Sequence, residues 1–349
     1  MTPALHVDLR ALVANLARVR ETVAPAEVML VVKDDAYAHG LVPVVRAAAA
    51  AGVRWFGAFD ARTAGAVRRL LGDDVRVFAW IAASDAELRA AAEADVDLGV
   101  GDADLLEDAA AAARSVGRTL RVHLKLDTGL HRNGVRPEAW PGFVARAAEL
   151  QAEGAIHVTG VWSHIAEASD AEDDDARALF ARGVRQAHEA GLRPALRHLA
   201  ASAASFARPE FRYDMVRVGA FCYGIRSAGG PAAERLGLAP IGRLEAQVTS
   251  VEGGVARVGI GALHGLPSRL QGRATVGTPA GPRALLAVEG SESLVESWGG
   301  AAIGDRVTVF GPGSDGESSA TDLAELIGTI GEEIAVRVSP LIPRVYAGE

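Results

Sequence analysis

The sequence predicts an α/β protein: a (β/α)8 TIM barrel followed by a smaller C-terminal all-β domain. Three observations predict it. Between Val28 and Val218, eight short apolar, β-branched runs alternate with helical segments. That alternation belongs to a parallel sheet, and eight successive units close into a barrel. Polar residues with chemical capacity also belong to five of the strands: Lys33, Lys125 and His164 at strand ends, Ser202 after the seventh, and Arg217 in the eighth. A barrel gathers such residues over one mouth, whereas an open sheet scatters them along its width. A doubly wound open sheet is the runner-up, but no GxGxxG follows the first strand to support it.

The elements follow in order. Residues 5–23 carry Leu9, Leu12, Val13, Leu16 and Val19 at helical spacing and read as a helix leading into the first strand, VMLVV from Val28. That strand runs into Lys33 and a polar turn holding Tyr37, His39 and Gly40. Helices are expected over 41–51, 61–71, 85–94, 103–116, 137–153 and 176–190. Strands are expected over 55–59, 75–81, 96–100, 121–127, 158–165, 196–200 and 215–218. Ser84 suits an N-cap, and Pro137 suits a first helical turn. The acidic run 170–175 reads as a solvated loop ahead of its helix; its spacing offers no metal set. After Ile225 the texture changes to glycine-rich turns and alternating valine-rich runs at 244–251, 255–260, 283–288 and 306–310, interrupted by a short helix over 322–330. The boundary lies in the Gly/Pro/Ala-rich stretch 227–238, giving domains 1–228 and 229–349.

Composition narrows the function. The 349 residues are 49% hydrophobic, enough for a large core, and the net charge of −8 argues against a nucleic-acid partner. One cysteine, Cys222, excludes an intrachain disulfide and fits a reducing compartment. No signal pattern or membrane-length apolar run is present, so the expectation is a cytoplasmic protein.

Lys33 is the first chemical candidate. A lysine ending a buried strand either snorkels to the surface or serves as a neutral amine that condenses with an aldehyde. VVKDDAYAHG around it resembles the pyridoxal-phosphate signature of the alanine racemase family, in which the lysine carries the cofactor. Asp34, Asp35 and Ala38 depart from the usual residues. KLDTGLHRNG (125–134) resembles the family stretch whose lysine, often carbamylated, supports an arginine at the cofactor and substrate carboxylate; these are Lys125 and Arg132. SHIAEAS (163–169) resembles its histidine stretch, placing His164 by the cofactor ring and Arg217. In DMVRVGAFCYG, Arg217 corresponds to the arginine facing the pyridine nitrogen. An arginine does not surrender its proton, so the ring is a weak electron sink, which suits racemisation better than transamination. Tyr37, Ser202 and the amides of Gly219 and Ala220 match the phosphate cradle.

Other departures concern chemistry. Ala201 replaces an asparagine, and Pro340 replaces a tyrosine that reaches the phosphate. In GIGALHGLPSRL (259–270), Ala262 falls where the family has the tyrosine that is its second base, offered across the dimer. A Met-Asp pair is lost near 289–293. Racemisation needs a base on each face of Cα, and His264 is the remaining candidate beside Lys33. The resemblance implies a pyridoxal 5'-phosphate-dependent alanine racemase-like isomerase, a homodimer with shared active sites, no metal, and no nucleic-acid or membrane partner. Two alternatives stay open: a one-base lyase or decarboxylase, and a cofactor-handling protein with little catalysis.

Overall fold

The computed structural model describes residues 3–167 and 169–348. They divide into two compact units: residues 19–33 with 49–219, and residues 1–18 with 34–48 and 220–349.

The first unit is a closed barrel of eight parallel strands: Glu27–Val31, Trp55–Asp60, Arg76–Ile81, Asp97–Val100, Leu120–Lys125, Ile156–Trp162, Leu196–His198 and Met215–Val218. The last pairs with the first, Met29 opposite Arg217, which closes the ring. Near-continuous burial along these strands explains their β-branched and aromatic composition. Met29, Trp55, Phe78, Trp162 and Met215 fill the interior. Glycines make room for the rings: a Cβ on Gly57 would stand 2.9 Å from Trp80, and one on Gly99 would stand 3.1 Å from Trp162. Asp60, Ser84, Asp102 and Ser169 cap the helices that follow them by accepting a backbone N–H.

The second unit is an eight-stranded sheet in the order Val255–Val258, Ser293–Glu296, Gly281–Val288, Thr275–Thr278, Arg306–Phe310, Gly242–Glu252, Ala4–Asp8 and Arg344–Ala347. The final two strands pair in parallel and the others are antiparallel. Two short helices, Ala320–Ile327 and Gly331–Val336, accompany the sheet.

Three expectations are corrected. The N-terminal helix begins at Leu9, because residues 4–8 form a strand in which Leu5 and Val7 are buried and Asp8 caps the helix through the N–H groups of Arg10 and Ala11. The acidic run 170–175 opens the helix Asp170–Glu189 instead of preceding it: carboxylates in a first turn complement the helix dipole. The fifth long barrel helix starts at Trp140, with Pro141 in its first turn, so Pro137 lies ahead of it.

The segment after Lys33 is unusual. Asp34, Asp35, Ala36, Tyr37 and Ala38 all have φ between +53 and +64°, one turn of left-handed helix without a glycine. Each such residue costs roughly 1–2 kcal/mol. The turn persists through local bonds and burial. Ala38 N–H donates to the Asp34 carbonyl at 2.8 Å, Gly40 N–H to the Asp35 carbonyl at 3.0 Å, and Leu41 N–H to Asp35 Oδ1 at 2.8 Å. Ala36 and Tyr37 are buried.

Candidate active site

The strand ends of the barrel bring most of the expected residues together. His164 follows the sixth strand, and four cations bear on it: Arg217 from the eighth strand, Arg132 and Lys125 from the fifth strand and its loop, and Lys33 after the first. Burial first, and then those charges in that order, push the His164 pKa down to about 3. The ring is neutral, and its Nδ1 lies 3.2 Å from Arg217 Nη2. Since arginine only donates, Nδ1 is the acceptor.

Arg217 is 3% exposed, and its hydrogen-bond partners among the described residues include no carboxylate. Its guanidinium donates to the carbonyls of Ser163 (2.7 Å) and Leu199 (3.0 Å) and to Nδ1 of His198 (3.0 Å) as well as His164. Burial, then Arg132, lower its pKa to about 9. A buried cation held by neutral acceptors, as among the described residues here, has unspent attraction for an anion.

Lys125 ends its strand with Nζ 4.4 Å from the centre of the Trp162 ring. Burial, followed by Arg132 and Arg217, brings its pKa down to about 8. The loop beyond it is tied by Asp127, whose Oδ1 accepts the N–H groups of Gly129 and His131 and whose Oδ2 lies 2.9 Å from His131 Nδ1. Val135 N–H closes the loop on the Lys125 carbonyl at 2.9 Å. Arg132 is exposed on this loop. Ser202 opens the helix Ser202–Ala207, and its Oγ accepts the Gly219 N–H at 3.3 Å. The Ser202 hydroxyl and the Gly219 amide are thus adjacent.

Tyr37, Ala220 and His264 belong to the sheet-bearing unit. Tyr37 is buried with its ring 4.7 Å from that of Tyr223, and burial, followed by Glu332 and Asp34, raises its hydroxyl pKa. Ala220 follows Gly219 and begins a 3-10 turn, Ala220–Tyr223. Ala262 and His264 bound another such turn, Ala262–His264, pinned by Ala262 N–H to the Glu289 carbonyl (2.8 Å) and Leu263 N–H to that of Gly290 (2.9 Å). His264 Nδ1 accepts the Gly261 N–H at 3.0 Å. The neutral ring therefore carries its proton on Nε2.

Sequence reasoning missed three buried groups beneath Arg217: His198, His123 and Asp97. Asp97 opens the buried run DLGV and His123 stands between buried Val122 and Leu124, so an ionisable residue beside buried apolar neighbours is the signal that could have found those two; His198, next to Arg197, carries no such signal. No group of three or more metal-ligating side chains occurs among the described residues.

The family described as "Alanine racemase, N-terminal domain" matches residues 7–227. The alanine racemase of Beutenbergia cavernae is 39% identical, over 98% of this chain and 97% of its own length. That of Thermobifida fusca is 36% identical, with 98% and 97% covered. Among solved structures, the alanine racemase of Streptomyces coelicolor A3(2) superposes with a TM-score of 0.96 at 34% identity, covering 100% of this chain and 98% of that one. The alanine racemase of Streptomyces lavendulae gives 0.94 at 33%, with the same coverage.

Proposed function

The chain belongs to the alanine racemase family, a family of isomerases, and from that premise we propose that it is a pyridoxal 5'-phosphate-dependent amino-acid racemase acting on a small substrate of the alanine class. The observation that carries the reading is the set of four cations, Lys33, Lys125, Arg132 and Arg217, bearing on one neutral histidine. Such a donor set suits a ligand with a phosphate, a phenolic oxygen and a carboxylate.

Pyridoxal phosphate, when bound, supplies an electron-withdrawing ring that acidifies the α-proton of an attached amino acid. Lys33 would hold the cofactor and move the proton on its own face of Cα. Arg217 would face the ring nitrogen as a donor that keeps its own proton, which would suit return of the proton to Cα. Arg132, with Lys125 behind it, orients the substrate carboxylate. Ser202 and the Gly219 amide would take the phosphate. His164 keeps Arg217 oriented as a neutral acceptor.

The second face is the point of division. His264 has its Nδ1 lone pair on the Gly261 amide, so its Nε2 can donate a proton but cannot accept one there. This favours a second reading, in which Lys33 works alone. The two separate in heavy water with either enantiomer of alanine and cofactor-loaded protein. Exchange at Cα with loss of optical activity supports the racemase. Exchange with configuration retained supports one base. No exchange, with the visible band of lysine-bound cofactor present, refutes both.

We place the protein in the cytoplasm as a homodimer. No described helix is long and apolar enough to cross a membrane. In the sheet unit, Leu263 is 76% and Leu341 is 91% exposed, on segments joined by Ser339 N–H to the His264 carbonyl at 3.1 Å. Such exposure is expected of residues that meet a second copy.

A further inference from the structure

Arg217 is the last member of a line of buried polar groups that crosses the barrel. Its Nη1 lies 3.0 Å from His198 Nδ1; His198 Nε2 lies 2.8 Å from His123 Nδ1; His123 Nε2 lies 3.1 Å from Asp97 Oδ2. Asp97, His123 and His198 are each 0% exposed. Every proton in the line can be placed. Arginine only donates, so His198 Nδ1 accepts and its proton sits on Nε2. Asp97 is ionised: Arg76 Nη2 lies 2.6 Å from Oδ2 and Arg121 Nε 2.8 Å from Oδ1. It only accepts, so His123 carries its proton on Nε2 and presents Nδ1 as an acceptor. The two assignments, made independently from opposite ends, meet correctly in the middle: His198 Nε2–H donates to His123 Nδ1. With both imidazoles neutral, no other arrangement satisfies all three contacts. Burial lowers the pKa of both rings, in keeping with that state.

The surrounding chain is shaped to hold this line. Opposite His123 stands Gly160, where the fifth and sixth strands shift register. A Cβ there would lie 2.5 Å from His123 Nδ1. The Trp162 ring lies flat against His198, with 5.7 Å between centroids and 5° between planes, and its Nε1–H bonds to the His123 carbonyl at 3.2 Å.

We propose that Asp97 and His123 are positioning residues for Arg217: the carboxylate acts through two imidazoles, each a one-way donor, to fix the guanidinium at the barrel mouth. A carboxylate in direct contact would neutralise Arg217 and compete with the ligand's own anionic groups. Relayed through two rings, Asp97 sets orientation and leaves the cationic face to the ligand. The catalytic meaning of that orientation rests on the racemase reading, whereas the line itself does not.

The test uses the full chain without added cofactor, labelled with nitrogen-15 in histidine and arginine. NMR of the wild type should show His198 and His123 each protonated at Nε2 only, with a hydrogen-bond coupling from His198 Nε2–H to His123 Nδ1. A proton on His123 Nδ1, or a doubly protonated ring near neutral pH, overturns the proposal. In His123→Phe, and in Gly160→Ala, which displaces the ring and keeps its chemistry, side-chain N–H exchange of Arg217 should accelerate about tenfold, the scale of one lost hydrogen bond. Backbone exchange in the barrel strands should stay within about twofold. A purely structural role would accelerate both together, and that result, or an unchanged Arg217 in both variants, defeats the positioning role. Cofactor binding is read separately, so failure of the racemase reading is seen as an absent visible band with the NMR result intact.

Discussion

Replacing His39 by glutamine should flatten the protein's response to acid. His39 is 3% exposed, its ring is stacked on Tyr223 with centroids 5.3 Å apart, and its Nδ1 lies 3.0 Å from the Ala36 carbonyl. Burial, opposed in part by that carbonyl and reinforced by Arg344, lowers its pKa to about 4. An unfolded histidine titrates near about 6.5. The folded pKa is the lower one, so the stabilisation is fully present above the unfolded pKa and is lost as pH falls toward the folded one. Between about pH 7.5 and about pH 5 the unfolded chain takes up nearly one extra proton at this site, worth ~2 kcal/mol. His164, His123 and His198 have lowered pKa values and act in the same direction. The wild type should therefore lose more than the share of one histidine. Urea unfolding followed by tryptophan fluorescence, at several pH values, gives both curves. His39→Gln should be less stable than wild type at pH 7.5, with a gap that narrows by ~2 kcal/mol at pH 5. A constant gap across that range would show that His39 is not neutral in the fold, and the reasoning would fail.

Other outcomes follow from single contacts. Lys33→Ala should abolish the visible band that pyridoxal phosphate produces and leave borohydride nothing to fix at that position; an unchanged band removes Lys33 from the site. Gly40 has φ +91° and a Cβ there would stand 2.0 Å from Tyr346 Oη. Gly40→Ala should cost about 3 kcal/mol or more by urea midpoint, with partial recovery on adding Tyr346→Ala. Lys125, with a pKa of about 8, should be uncharged in an appreciable fraction of molecules near neutral pH. Carbon-13 bicarbonate should then give a carbamate resonance that is missing from Lys125→Ala. Leu341→Asp should shift sedimentation from dimer toward monomer, and an unaltered profile would detach that side chain from the interface.

The barrel was legible in the sequence because each strand satisfies a strong local rule. Runs such as VMLVV are buried on both faces, and their alternation with helices leaves few topologies. The positions of Lys33 and Lys125 were legible for a related reason, since a charge at the edge of an apolar run marks a strand end. What local pattern could not supply was non-local. Residues 4–8 look helical because their apolar spacing continues into the helix beyond; only pairing with 242–245 and 344–347 makes them a strand. The left-handed turn is illegible for a different reason. Nothing in Asp-Asp-Ala-Tyr-Ala prefers positive φ, so the conformation is imposed by burying Ala36 and Tyr37 and by the bonds that Asp34 and Asp35 accept. Gly160 joins the two cases. Read alone it weakens a strand, yet with His123 opposite it marks where a ring must lie against backbone. A histidine between two buried apolar residues and a glycine on the strand beside it are each unremarkable. Together they are the trace, in one dimension, of a polar line threaded through a hydrophobic barrel.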